Sequence, residues 1–260
     1  MPTPVLFVSH GSPDIALQAQ TPTLACWQQL GVSLARPKAI LVVSAHWETA
    51  TPTLSTAAHP QTIYDFGGFP APLYRMTYPA KGAPEIAPLV QAAFDKAALP
   101  LHIDPHRGLD HGAWIPLLSI FPKADIPVAQ LSIQTQADPA WHMKLGQALH
   151  SLRTVGILII ASGAVTHNFG WLSHSDEPLP AALSFSNWLA EKLQARAEKE
   201  LLAYRTQAPY GATAHPTEDH ILPLFVAFGA STTDDRLRRF APEVTYGALA
   251  MDTYLWEARN

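Results

Sequence analysis

The sequence predicts an α/β fold with a central mixed, mostly parallel β-sheet flanked by helices. Two observations support this fold class. Short apolar runs rich in β-branched residues, with little polar alternation, are typical of strands buried on both faces of a sheet. Segments with apolar residues at helical spacing lie between these runs, and such alternation favours parallel pairing. The predicted strands are Val5–Val8, Ile40–Val43, Pro127–Ile133, Ile157–Ala161 and Val244–Ala250.

Three longer segments are predicted to form helices. Residues 83–98 carry apolar side chains at roughly helical spacing. Residues 139–153 follow Asp138, which is a favourable N-cap, and begin with Pro139, which suits the first helical position. Residues 180–204 form the longest predicted helix.

Length and composition indicate a compact globular protein with a large core. The chain has 260 residues, of which 48% are hydrophobic and 15% charged, which favours a large core over disorder. We find no repeat or linker, so residues 1–260 are predicted to be a single domain. The net charge is -4 and the basic residues are scattered, which argues against a nucleic-acid partner. The mixed cluster at residues 234–239 is interpreted as a solvated helix end.

Cysteine content and hydropathy bear on the compartment. Cys26 is the only cysteine, so no intrachain disulfide can form and a reducing compartment is expected. The apolar run Val5–Val8 is too short for a signal-peptide core, and no apolar stretch has the length of a membrane span. The sequence therefore predicts a cytoplasmic protein with no membrane partner, and it leaves the oligomeric state open.

Histidines follow three of the predicted strands. His10 comes after the first strand, His46 after the second, and His167 a few residues after Ile157–Ala161. Ligands of open α/β sheets bind outside the carboxyl ends of the strands. One histidine after a strand is more often a hydrogen-bonded loop residue, but three that arrive in the same way favour a shared site.

Two further histidines lie in informative segments. His111 has Gly108 and Gly112 nearby, and these glycines would allow the backbone to approach a ligand closely. The alternative is a tight turn with an exposed histidine. His220 follows acidic residues and precedes an apolar run, which indicates a helix start with Pro223 in the first turn. This placement puts His220 at or beside the helix N-cap.

The remaining histidines are interpreted as structural, with two of them, His142 and His150, on helix surfaces. Glu48 lies two residues beyond His46 and is expected near a site without binding a metal directly. Neutral imidazoles suit Zn, Fe, Cu or Ni. Three protein ligands would leave positions open for a substrate, as in catalytic sites. The histidines interpreted as structural are His59, His102, His106, His142, His150, His174 and His215.

Six segments, in order along the chain, resemble the class III extradiol ring-cleaving dioxygenases of the LigB superfamily. The resemblance is closest to the 4,5-DOPA extradiol dioxygenase-like branch, and the segments span most of the sequence. No single motif is decisive, because Ser-His-Gly-Ser alone also resembles chelatases. The segments are SHGSP (9–13), SAHWE (44–48), YDFGGFP (64–70), LDHGAW (109–114), SGAVTHN (162–168) and HPTEDHILPL (215–224).

The resemblance implies a mononuclear metal site and assigns residues to it. His10, His46 and His220 match the three ligand positions. The third ligand in the wider superfamily is usually glutamate, whereas histidine resembles the DOPA-type branch, which has been associated with zinc as well as iron. His167 matches the acid/base histidine, although it could also approach the metal. His111 matches a second active-site histidine near substrate and dioxygen.

The function implied by the resemblance is the opening of a catechol ring, DOPA-like, with O2 to give a semialdehyde. The cofactor is one divalent ion, Zn(II) or Fe(II), and Fe(II) is expected for dioxygenation because Zn(II) has no redox chemistry. A zinc-dependent hydrolase using metal-activated water is an alternative, as is a non-catalytic metal-binding protein. Five aromatic residues are candidates for lining the catechol pocket, and the alternative for each is ordinary packing in the core. They are Trp47, Phe66, Phe69, Trp114 and Tyr254.

Overall fold

A computed structural model describes residues 1–175 and 177–259. The strands are β1 (Val5–Ser9), β2 (Ala39–Glu48), β3 (Thr53–Ser55), β4 (His102–Asp104), β5 (Val128–Ile133), β6 (Ile157–Gly163), β7 (Asp235–Phe240), β8 (Val244–Thr245), β9 (Leu249–Ala250) and β10 (Thr253–Ala258). The α-helices are α1 (Pro22–Ser33), α2 (Ala87–Lys96), α3 (His111–Ile120), α4 (Pro139–Leu149), α5 (Pro180–Gln194), α6 (Glu198–Leu202), α7 (Tyr204–Gln207), α8 (Gly211–Ala214) and α9 (Leu222–Ala230).

The central sheet has eight strands in the order β4-β3-β5-β2-β6-β1-β10-β7. Its four middle strands, β5, β2, β6 and β1, are parallel to one another. Antiparallel pairing begins on both sides of this group, where β3 meets β5 and β10 meets β1. The predicted fold class, a mixed and mostly parallel sheet flanked by helices, is confirmed.

Two apolar cores cover the opposite faces of the sheet. In β2, Leu41 and Val43 belong to the core beneath α2, α4, α5 and α9, whereas Ile40 and Val42 belong to the core beneath α1 and α3. All four side chains are almost completely buried. Since successive side chains of a strand point to opposite faces, burial of every residue requires helices on both sides.

The charged segment 234–239 was predicted as a helix end, and this prediction is wrong. Its residues from Asp235 onward lie in the edge strand β7, which pairs antiparallel with β10. Arg239 donates to Asp252 over 2.6 Å, and Arg238 lies 3.6 Å from Glu257. Charged side chains are common on edge strands because they discourage pairing with a further chain.

Two other predicted elements are interrupted. Val244–Ala250 is a hairpin of the two-residue strands β8 and β9, because Tyr246 and Gly247 adopt φ of +53° and +68° between them. The long helix predicted at 180–204 breaks after α5, where Arg196 has φ +49°. In the described ranges, none of the helices combines the length and the apolar character that crossing a bilayer requires.

Candidate metal centre

The carboxyl ends of the central strands bring three histidines together. His10 directly follows β1, and His46 lies near the end of β2. His220 lies just before α9, beside the N-cap as predicted, and its carbonyl accepts a 2.8 Å hydrogen bond from the Ala164 backbone N–H beyond β6. A Cβ atom on Gly163 would lie 2.1 Å from that carbonyl oxygen. A glycine at the end of β6 is therefore required for the segment carrying His220 to approach the sheet.

The three rings point the same nitrogen at one another. His46 Nε2 lies 3.0 Å from His10 Nε2 and 3.2 Å from His220 Nε2. Two ligands on a tetrahedral ion, with bonds of about 2.0–2.1 Å, lie about 3.3–3.4 Å apart. The spacing of the three nitrogens therefore fits a single ion bound between them.

The tautomer of His10 is set by its hydrogen-bond partner. His10 Nδ1 lies 2.9 Å from the Ser162 hydroxyl oxygen. That hydroxyl donates its only proton to the carbonyl oxygen of Gly112. It can therefore only accept from His10, so the proton of His10 is on Nδ1 and Nε2 has a free lone pair.

Carboxylates face the outer nitrogen of the other two rings. His220 Nδ1 is hydrogen-bonded to Asp219, and His46 Nδ1 lies 3.3 Å from Asp65 Oδ2. A carboxylate accepts but does not donate, so each favours a proton on Nδ1. All three Nε2 atoms thus have lone pairs, and outer partners of this kind orient histidines that bind metals. The donor set fits a divalent ion that accepts imidazole ligands.

Burial and mutual proximity keep these rings neutral. The pKa of His10 is well below its ordinary value, and the pKa of His46 is about 4. Burial is the larger cause for both rings, and the neighbouring histidines lower the pKa further. The pKa of His220 falls to about 3, mainly through burial, although Asp219 opposes the shift. Neutral imidazole is the form that binds a metal.

His111 is a further histidine whose ring lies against the ring of His46. It is the first residue of α3, where Asp110 is the N-cap and accepts from the Ala113 N–H. Its ring centre is 3.9 Å from that of His46, and its Nδ1 is 3.0 Å from Asp65 Oδ1. The alternative of an exposed turn histidine is wrong, because the residue is only 5% exposed.

His167 lies against His220. The two rings stack with centres 3.5 Å apart and planes 12° apart, and burial lowers the pKa of His167. The His167 backbone N–H donates to the carbonyl of Ala214, which fixes the loop after β6. The sequence-predicted residues His10, His46, His111, His167 and His220 therefore all line one cavity.

This cavity has a volume of about 570 Å³. Of the predicted aromatics, Phe66 and Phe69 line it, whereas Trp47, Trp114 and Tyr254 are buried in the protein interior. Sequence reasoning missed five larger apolar side chains of its lining, which come from the segment after β6 and from the region of β8 and β9 and so share no single periodic pattern. They are Phe169, Leu172, Tyr246, Leu249 and Met251.

Three polar neighbours of the histidines were also missed, namely Asp65, Ser162 and Asp219. Each lies within one of the quoted motifs, so membership of a motif was the available signal. Their partners depend on contacts between distant segments, which spacing along the chain does not reveal. Glu48 is exposed and accepts from the Thr135 hydroxyl over 2.9 Å. His174 was interpreted as structural but lies at the cavity wall.

Comparison with known proteins identifies the class to which this fold and site belong. A family model described as the catalytic LigB subunit of aromatic ring-opening dioxygenase matches residues 2–250. The chain belongs to this family and is an extradiol ring-opening dioxygenase, which implies a divalent metal, a catechol-type aromatic substrate and O2.

Within the family, the chain lies in the DOPA 4,5-dioxygenase branch. It is 45% identical over 230 residues to the 4,5-DOPA dioxygenase extradiol of Beta vulgaris, covering 86% of this chain and 85% of the relative. The Escherichia coli (strain K12) protein of the same name is 39% identical, with 95% and 92% covered. The crystal structure of an uncharacterized Escherichia coli K12 protein superposes with a TM-score of 0.81 at 32% identity, covering 97% and 99% of the two chains.

Proposed function

We propose that His10, His46 and His220 bind one divalent ion at which the enzyme opens the ring of a DOPA-like catechol. The observation that carries this proposal is the convergence of three Nε2 atoms at 3.0 and 3.2 Å, each with its Nδ1 facing an acceptor. Three protein ligands would hold the ion and leave coordination open to exogenous groups, as in the three-ligand sites of non-haem Fe(II) oxygenases.

The proposed ion is Fe(II), and it supplies the redox chemistry that joins O2 to the ring when it is bound. Zn(II) fits the same nitrogens but has no redox chemistry. The proposed substrate is DOPA-like because relatives at 37–45% identity are named 4,5-DOPA dioxygenases. The cavity volume of about 570 Å³ lies within the range of small-molecule sites. The proposed product is a ring-opened semialdehyde.

The chain's own residues are proposed to manage protons and water. A ring nitrogen of His167 accepts a catechol hydroxyl proton and later returns it to the ring-opened product, a role that histidine can fill near neutral pH. His111 Nδ1 lies 3.0 Å from Asp65 Oδ1, and a proton on that Nδ1 leaves Nε2 able to accept a hydrogen bond from a substrate hydroxyl. Phe66 and Phe69 line the same cavity and exclude water from it.

The test is anaerobic reconstitution of metal-free protein with Fe(II) or Zn(II), followed by oxygen uptake and visible spectra with L-DOPA and simpler catechols. We expect oxygen consumption only with Fe(II), together with a coloured ring-opened product. His167→Ala should keep its metal content and lose turnover, and loss of metal would instead make His167 a ligand. Absence of oxygen uptake with Fe(II) across the catechols would overturn the proposal.

We also propose that residues 1–260 act as one catalytic domain in the cytoplasm. The single domain is supported by the two cores, which pack on one sheet. The compartment is supported by the lone Cys26. Separate thermal transitions would contradict the first statement, and recovery of the protein from another compartment on cell fractionation would contradict the second.

A further inference from the structure

The loop between β3 and α2 carries an acidic residue, Asp65, whose backbone surroundings are fixed. The Ile63 N–H donates to the Leu109 carbonyl, and the Leu109 N–H donates to the Gln61 carbonyl, both over 2.8 Å. These two bonds attach the loop to the segment that precedes α3. Asp65 is therefore placed against the start of α3 by the fold.

The two oxygens of the Asp65 carboxylate face two different histidines. Oδ1 accepts the His111 backbone N–H over 2.9 Å and lies 3.0 Å from His111 Nδ1. Oδ2 lies 3.3 Å from His46 Nδ1. One side chain thus contacts a residue proposed to bind the metal and a residue proposed to contact the substrate, whose ring centres are 3.9 Å apart.

We propose that Asp65 is a positioning residue that sets the tautomer and the mutual orientation of His46 and His111. The inference rests on the metal site of the proposed function and adds a residue to it. The carboxylate charge, 3.0 Å from His111 Nδ1 and 3.3 Å from His46 Nδ1, favours the tautomer of each ring that has its proton on Nδ1. His46 Nε2 then has the lone pair that a metal requires, and His111 Nε2 is left for the cavity.

An asparagine at position 65 has nearly the same shape but cannot serve both histidines. If its amide oxygen faces His111, its amide N–H faces Nδ1 of His46 and favours the tautomer that cannot bind metal through Nε2. If the amide is reversed, its N–H groups oppose the His111 backbone N–H. Either orientation creates a donor–donor contact while a metal is bound. An alanine removes the carboxylate without creating such a contact.

The experiment compares Asp65→Asn and Asp65→Ala with the wild type. Affinity of the metal-free proteins for Co(II) and Zn(II) is measured by competition with a chelator, and turnover is then measured on protein saturated with Fe(II). We expect Asp65→Asn to lose about 10- to 100-fold in metal affinity, as for other outer partners of ligating histidines. Asp65→Ala should lose less, although alanine is the larger structural change.

Glu48→Gln is the matched control, because Glu48 is an exposed carboxylate near His46 that contacts Thr135 instead. Its metal affinity and turnover should match the wild type. Thermal unfolding of each metal-free variant checks that it is folded. Equal metal affinity in Asp65→Asn and wild type, or a greater loss in Asp65→Ala than in Asp65→Asn, would overturn the inference. The affinity measurement stands whether or not the wild type opens catechol rings, so failure of the two proposals can be told apart.

Discussion

Two groups of buried histidines in this protein differ in what their nitrogens contact. In the cavity, His10 and His220 are 3% and 6% exposed, and their Nε2 atoms lie within 3.2 Å of His46 Nε2. In the core, His142 and His215 are completely buried, but they bond to the backbone. Burial is therefore common to both groups, and the partner of Nε2 separates them: a backbone group in the core and another imidazole nitrogen in the cavity.

The hydrogen bonds of the core pair are structural. Nε2 of His142 accepts from the Gln134 backbone N–H, and its Nδ1 lies 2.9 Å from the Asp138 carbonyl oxygen. Nε2 of His215 donates to the Val165 carbonyl over 2.8 Å. Nε2 of each cavity ring instead faces another Nε2 that also has a lone pair, and a bound cation would stabilise this arrangement. This contrast distinguishes a candidate metal site from histidines that hold backbone in place.

The largest effect is expected for His46→Ala, because His46 is the ring that contacts both other Nε2 atoms. Iron affinity should fall by more than the 10- to 100-fold typical of outer partners, and turnover should fall to background. The measurements are chelator competition and oxygen uptake with a catechol. His150→Ala provides a control outside the cavity, where the ring contacts the Ala230 carbonyl. Retained metal binding in His46→Ala would remove the distinction between the two groups.

The second prediction concerns pH and the core pair. Burial lowers the pKa of both His142 and His215 from 6.5 to about 4. Between pH 6.5 and 4 the unfolded chain binds protons on these rings and the folded chain does not. The contribution of the two neutral rings to the free energy of unfolding is therefore fully present above pH 6.5 and is lost as the pH falls towards 4. The loss is on the order of 3 kcal/mol for each ring.

Urea unfolding of the metal-free protein at pH 7 and pH 5 measures this effect. We expect a lower free energy of unfolding at pH 5. The difference should shrink in His142→Leu, which cannot titrate at that position. A free energy of unfolding that is the same at both values would contradict the assignment of neutral core histidines.

The third prediction separates stability from metal binding. His142→Leu leaves the Gln134 N–H buried without its acceptor, which costs about 1–3 kcal/mol. Metal affinity at neutral pH should remain that of the wild type. The measurements are urea unfolding and chelator competition on the same samples. A variant that keeps its stability but loses metal would show that His142 belongs with the cavity group.

The sequence predicted part of this difference between the cavity and the core histidines. His10 and His46 were predictable because unmistakable apolar strands precede them, and strand ends of a parallel sheet share an edge. His142 was interpreted as a helix-surface residue, but it is fully buried, because its partner is a backbone N–H outside its own helix. The contact of Asp65 with two histidines depends on backbone pairing between residues far apart in the chain.

The same limit explains the errors in the fold. β7 was missed because its arginines indicate solvent, and only its pairing with β10 makes it a strand. The break after α5 depends on the left-handed conformation of Arg196. Glycine is the usual residue in this conformation, so an arginine at this position gives no signal of a break in the sequence. Local patterns therefore predicted the central parallel strands, and they missed the antiparallel strands β10 and β7 and the turns, which depend on tertiary contacts.

The smallest effect is expected for Ser162→Ala, which removes the acceptor of the His10 Nδ1 proton and the donor to the Gly112 carbonyl. A serine is a neutral partner, so the loss of metal affinity should be about ten-fold, at the low end of outer-partner effects. Ser186→Ala is the matched control, because Ser186 is equally buried but bonds to Asp252 and Arg239. Its metal affinity should be unchanged. If both variants lose metal equally, the loss comes from general loosening of the core, and the orientation of His10 by Ser162 is not the cause.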